Sequence, residues 1–199
     1  MADDELHRPG TPCWVILATP DAERTGLFYA GLLGWSAPPA GGFATVTSDG
    51  RDVAAVLPNS TGAQFGLWEA GTHPGAAVTG PPGSLTWAEL RTRSRASAAR
   101  FYQSVFDWEV QSVQAGAEAF ISCVLDGEPV AGMVELGAAD GRSPSYWMPY
   151  FAVGDCDAAA ALADGLGGEV CEAPHAAAGR RLAVLRDPLG ALFYVVAAG

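Results

Sequence analysis

The chain contains no lysine: all eleven of its basic residues are arginine. That excludes catalysis through a lysine Schiff base, covalent pyridoxal phosphate chemistry included. Histidine is nearly as scarce. His7, His73 and His175 fall in a tail, a linker and a loop, where ordinary surface roles are expected. The four cysteines, Cys13, Cys123, Cys156 and Cys171, lie far apart with no C-x-x-C. Neither a zinc knuckle nor a disulfide framework is indicated, and buried free thiols in a reducing compartment are expected. No apolar run approaches the ~20 residues of a membrane span. The start, Met1-Ala2-Asp3-Asp4-Glu5, lacks the apolar core of a signal peptide, so a cytoplasmic location is expected. No G-x-S-x-G and no strand-to-helix glycine loop appears, which argues against a serine nucleophile and a phosphate cradle.

Positive charge is also short. Eleven basic residues face 22 acidic ones, a formal net charge of -11 over 199 residues. A polyphosphate backbone would be repelled, so no nucleic-acid partner is expected. What is plentiful is apolar: 49% of the chain is hydrophobic and only 17% charged, enough for a sizeable core.

The informative feature is an internal repeat. Trp14, Leu17, Thr19, Phe28, Tyr29 and Trp35 match Trp87, Leu90, Thr92, Phe101, Tyr102 and Trp108, all at an offset of 73. Each copy reads as a strand, a turn and an amphipathic helix. In the first copy, residues 13–19 alternate as a strand. Thr19-Pro20-Asp21 starts a helix, with Pro20 expected at its first position. Phe28, Tyr29, Leu32 and Leu33 give the buried face, and Gly34 is placed for a left-handed C-cap. Residues 43–47 and 52–57 read as strands around the turn Asp49-Gly50. The second copy has a strand at 85–91, Ser94 as N-cap, a buried helix face of Ala98, Phe101, Tyr102, Val105 and Phe106, and Asp107 in the C-cap place. Strands near 109–114, 119–125 and 129–135 follow. A third unit has a strand at 146–153, an alanine-rich helix at 155–166, and strands near 169–173, 181–186 and 191–197. Asp187-Pro188-Leu189-Gly190 is a turn, which accounts for Asp187 without catalysis. Residues 62–68 resemble residues 190–196 and read as a stray last strand of a fourth unit.

The order W-x-x-L-x-T, a helix with F-Y, G-W or D-W, D-G-x-x-V-A and finally G-R…D-P-x-G-A-x-F resembles the vicinal oxygen chelate superfamily. Glyoxalases, bleomycin-resistance proteins and extradiol dioxygenases belong to it. More narrowly it resembles tandem glyoxalase-like proteins often labelled hydroxylases. The resemblance implies an α+β fold of βαβββ modules that pair so that curved sheets enclose a cup. The expected organisation is a tail over 1–10, a partial N-terminal glyoxalase-like domain over 11–69, a linker over 70–83 and a complete C-terminal domain over 84–199, with modules 84–136 and 145–197. Against the third unit, roughly forty residues are missing from the N-terminal domain. Such a half-cup exposes a sheet face and edge. Either a second subunit covers it, as a homodimer pairing N-terminal modules, or it packs on the C-terminal cup of its own chain.

In metal-dependent relatives the first and last strands of each module supply His, Gln or Glu ligands. Carried over, those positions fall on Trp87, near Gly132 or Met133, near Pro149, and on Tyr194. In the N-terminal copy they fall on Trp14 and about Ala55. None suits a metal, so no metal and no other cofactor is expected. Glu89 shares the strand face of Trp87 and is the candidate catalytic residue, a carboxylate whose pKa an apolar cup would raise. The alternative is an ion pair with an arginine such as Arg180. Trp87, Glu89, Trp147, Pro149, Phe151 and Tyr194 are the candidate ligand-binding residues, with alternation grouping Trp147, Pro149 and Phe151 on one face and Tyr146, Met148 and Tyr150 on the other. For Trp87 and Trp147, core packing competes with ligand contact. The function expected is metal-independent binding of a small organic molecule, such as drug or metabolite sequestration. A lyase, isomerase or hydroxylase-like enzyme working through Glu89 is the alternative, and a protein that docks a partner on the partial cup is the third reading.

Overall fold

The computed structural model describes residues 7–8, 10–36, 44–48, 51–58, 75–115, 118–141, 143–177 and 179–197. The stray strand expected at 62–68 and the turn Asp49-Gly50 lie outside them.

Three repeats of one motif build the chain. The first is β1 (Ile16–Thr19), α1 (Ala22–Leu33), β2 (Ala44–Ser48) and β3 (Arg51–Pro58). The second is β4 (Leu85–Thr92), α2 (Arg95–Phe106), β5 (Glu109–Ala115), β6 (Glu118–Leu125) and β7 (Glu128–Glu135). The third is β8 (Tyr146–Val153), α3 (Cys156–Gly165), β9 (Glu169–Ala177), β10 (Arg180–Arg186) and β11 (Leu192–Ala197). In each, the first strand runs parallel to the last: β1 beside β3, β4 beside β7, β8 beside β11. The intervening strands pair antiparallel. A parallel neighbour requires a crossover, and the helix provides it. The expected α+β fold of repeated modules is therefore present.

The helix ends show how closely the repeat is kept. Asp21 Oδ1 accepts from the Arg24 amide at 3.0 Å, so Asp21 is the N-cap of α1 and Pro20 stands before it, not inside the helix. An aspartate can satisfy an orphan amide, which a proline cannot. Ser94 caps α2 through the Ser97 amide, and Asp155 caps α3 through the Ala158 amide. Gly34 ends α1 in the left-handed region at φ 69°, and Asp107 ends α2 the same way at φ 55°. Offsetting α1 by 73 gives the bounds of α2, end to end.

Two compact units result, and they divide the chain elsewhere than the expected domain boundaries. One holds the residues up to Cys13 together with Trp87–Met148; the other holds Trp14–Thr86 together with Pro149–Gly199. The reason in the second unit is a shared core. Phe28, Tyr29, Leu32 and Leu33 of α1 bury themselves with Ala159, Ala160 and Ala163 of α3, Phe151 of β8, Leu185 of β10 and Phe193 of β11. Residues expected to be linker contribute too: Gly83 donates to the Ala152 carbonyl at 2.8 Å and accepts from the Trp35 indole. The first unit has its own core, with Leu90, Ala99, Tyr102, Trp108, Cys123, Ala131 and Met133 beneath α2. Its strands run in the order β5-β6-β7-β4, and the second unit's in the orders β8-β11-β10-β9 and β1-β3-β2.

Candidate functional site

The core under α2 fixes which face of the first unit's sheet is free to bind. Leu90, Met133 and Cys123 point to the helix. Alternation sends their neighbours Glu89, Gly132 and Ser122 to the opposite face. These three stand in one row across the sheet, because Glu89 registers with Gly132 and Gly132 with Ser122. Gln111 continues the row on β5. Trp87 and Arg91 flank Glu89 on the same side of β4.

Gly132 is what lets this face close up. A Cβ added there would lie 3.2 Å from the Trp87 indole nitrogen and 3.5 Å from Glu89 Cγ. The indole therefore lies over the bare backbone of β7, beside the Glu89 side chain. Glu89 is only 8% exposed. Its Oε1 sits 2.8 Å from Arg91 Nε, at ion-pair distance though outside the angular range of a directed hydrogen bond. The arginine at ion-pair distance is Arg91, two residues along the same strand. A half-buried indole, a buried carboxylate, its guanidinium partner and the Ser122 hydroxyl make a small polar group on this sheet face, continued by Gln111. It can stack a flat ring and offer a charged hydrogen-bonding edge.

The other residues singled out from sequence are not gathered there. Trp147 lies on the helix side. Its Nε1 donates to Tyr102 Oη at 3.0 Å and its ring meets Tyr102 and Trp108 edge-on. Phe151, 2% exposed, is wedged edge-on against Tyr29, Trp35 and Phe193. Both are placed as core residues and not on the open sheet face where ligand contact was expected. Alternation grouped the two with Pro149 correctly, but both faces of β8 are apolar, so it could not say which group meets the helices. Pro149 is half-buried between them. Tyr194 is on the sheet face away from α3, since Phe193 and Val195 fill the core. There it stacks on Tyr150 at 4.1 Å and 18°. Sequence reasoning passed over Arg91 and Ser122, and placed Tyr150 only on the face of β8 opposite Trp147, Pro149 and Phe151. The period-two rule that tied Glu89 to Trp87 would have added Arg91 as well.

Two further groups are explained by structure. Asp187, 3% exposed, accepts from the Leu189 and Ala191 amides at 2.9 Å each and from Tyr29 Oη at 3.4 Å. That is turn and core work. Burial pushes the Tyr29 phenol well above its ordinary value, and the neighbouring Asp187 charge and their hydrogen bond add to it. Burial likewise pushes the Cys123 thiol up to about 12. A cleft of about 400 Å³ lies by Arg95, Gln114, Phe120 and Glu135, apart from Glu89.

The metal positions carried over from the superfamily fall in this unit on Trp87 and near Gly132 or Met133; neither Trp87 nor Gly132 can ligate, and Met133 is buried on the helix side. The space beside Gly132 is taken by the indole. Among the described residues no three of His, Cys, Asp or Glu are grouped to hold a metal ion. The described residues at these positions of the first unit do not fit such a group. Among the described residues no helix is long and apolar enough to cross a membrane.

Repeated βαβββ modules with a binding face opposite their helices define a glyoxalase-like protein. A family model described as a glyoxalase-like domain matches residues 87–196, and the chain belongs to that family, within the vicinal oxygen chelate superfamily. Among relatives, the chain is 31% identical to the anthracycline biosynthesis protein DnrV of Streptomyces peucetius, over 94% of this chain and 93% of that protein. Among solved structures, it is similar to BphC, a halotolerant catechol dioxygenase, with a TM-score of 0.67, 12% identity, and 97% and 88% of the two chains covered. It is also similar to the Mn(II)-bound glyoxalase from Novosphingobium aromaticivorans, with a TM-score of 0.64, 12% identity, and coverage of 96% and 83%. At that identity the two structures show the fold alone. The alignment with DnrV has a further property. It runs over 259 positions but draws on only 94% of 199 residues, about 187, so roughly 70 of its positions face no residue of this chain.

Proposed function

We propose that the chain binds a small, flat organic molecule without a metal, on the sheet face built by Trp87, Glu89, Arg91 and Ser122. The observation that carries this reading is the Trp87 indole lying over Gly132 beside Glu89. At the two positions where metal-dependent relatives place ligands, this chain has a stacking surface and a glycine that makes room for it. The similarity to an anthracycline biosynthesis protein supports a polycyclic aromatic ligand of natural-product type. The net charge of -11 favours one carrying an amine. Sequestration needs no more than this.

An enzymatic second reading rests on Glu89 alone. Held at ion-pair distance from Arg91, it is a carboxylate placed to take a proton from a bound molecule. An anthracycline bearing an amino sugar is the probe for both readings, followed by quenching of tryptophan fluorescence. Saturable quenching that weakens about tenfold in Trp87→Phe supports the stacking site. Unchanged affinity in both Trp87→Phe and Glu89→Gln would sink it. Conversion of the probe by the wild type, lost in Glu89→Gln while binding persists, would move the assignment to the enzyme.

A further inference from the structure

We infer that the outer face of α2, centred on Phe101 and Val105, is an interface with a second copy of this chain. The argument starts from the repeat. Phe101, Ser104 and Val105 are the counterparts of Phe28, Gly31 and Leu32 at the offset of 73. In the second unit those three positions are an interface already. Phe28 is 2% exposed and Leu32 8%. A Cβ on Gly31 would come within 2.8 Å of Leu166, and a Cβ on Gly168 within 2.7 Å of Phe28. The end of α3 and the turn after it therefore seat directly on this face of α1. On α2 the same face is open: Phe101 is 53% exposed and Val105 45%. An exposed large aromatic next to a branched aliphatic on one helical stripe marks an association surface.

The similarity to DnrV is consistent with this open face. Roughly 70 alignment positions face nothing in this chain, somewhat more than the third module occupies from Tyr146 to Ala197. A missing module would take its helix with it, and the internal symmetry makes α2 the helix left uncovered, as α1 is covered by α3.

Charge selects a second copy as the occupant. Arg100 lies on the N-terminal half of α2, while Asp107 and Glu109 lie at and just beyond its C-terminus. A two-fold axis beside Phe101 and Ser104 runs the two α2 helices antiparallel. It brings Arg100 of one copy toward Asp107 and Glu109 of the other, twice over, and opposes the two helix dipoles. Ser104 lets the helices approach, where its counterpart Gly31 admits Leu166. This surface is separate from the Glu89 face, so either assignment can fail without the other.

Sedimentation velocity of the full chain over a concentration series tests it. The wild type is expected to be dimeric at roughly tens of micromolar, with Phe101→Glu weakening association about tenfold or more. Arg100→Glu should weaken it less, by about threefold, and only at low salt. Circular dichroism checks that Phe101→Glu is folded; Val105→Glu, one turn on, must give the same result and replaces it if it is not. A wild type that stays monomeric throughout overturns the proposal. So does a dimer indifferent to both substitutions, which would place the contact elsewhere, with the β1-β3-β2 sheet the next surface to test.

Discussion

Helices α1 and α2 are two copies of one element that have met different fates. They have the same length, the same offset at every boundary, polar N-caps and left-handed C-caps. Each carries a Phe-Tyr pair, and in each the tyrosine stacks on the tryptophan just beyond the helix, Tyr29 on Trp35 at 5.2 Å and Tyr102 on Trp108 at 5.4 Å. Yet Phe28 is buried and Phe101 half exposed. Sequence alike in the two copies therefore does not settle burial; what lies on top of the helix does. The tyrosine hydroxyls show the same divergence. Tyr29 donates to a turn aspartate, Asp187, whereas Tyr102 accepts from Trp147.

The comparison can be broken most directly at its phenylalanines. Phe28→Ala should cost about 3–5 kcal/mol in chemical denaturation, as a large core truncation does. Phe101→Ala, at the equivalent position, should change the stability of the dilute protein by about 0.5 kcal/mol or less. Equal losses would mean that the two helices are not packed as described. A smaller effect sharpens the account of what covers α1. Gly168→Ala should cost about 1–3 kcal/mol, because the added methyl meets both the Phe28 ring and the rigid Arg186 carbonyl at 2.8 Å. A neutral result would show that the turn after α3 does not seat on α1.

Tyr29→Phe removes one hydrogen bond to a charged acceptor and should cost about 1–2 kcal/mol at neutral pH. Its diagnostic is the pH dependence. A phenol whose folded pKa is raised above 10 contributes its stability fully below pH 10 and loses it as the pH climbs further. Denaturation midpoints of the wild type should therefore fall above pH 10 more steeply than those of Tyr29→Phe. Parallel profiles would contradict the burial of this hydroxyl.

Much of the fold was legible because its signals are local. The offset repeat, Ser94 and Asp155 beside helix starts, and Gly34 or Asp107 at helix ends depend on a few neighbouring residues each. The site was legible only in part. Period-two alternation tied Glu89 to Trp87 and set both apart from Leu90, as the structure has them. On β8 the same rule left two apolar faces and no ground for choosing between them; the structure turns Trp147 and Phe151 toward the helices. The partner of Glu89 was sought across the chain at Arg180 when it stood two residues away at Arg91. On α2 the helical period put Phe101 and Val105 on the buried face with Tyr102, yet they are 53% and 45% exposed; Phe28 and Phe101 differ only in what the rest of the chain brings to them.

The proposed function has Trp87 and Gly132 forming a stacking site where the metal-dependent relatives hold a metal. Elemental analysis of protein grown with abundant metals, purified without chelators or a histidine tag and dialysed, tests it most directly. The account predicts no stoichiometric Fe, Ni, Zn or Mn. About one such ion per chain surviving dialysis would contradict it, because a site that tight needs several nitrogen or oxygen ligands, and the face around Glu89 would then have to be reassigned to metal chemistry.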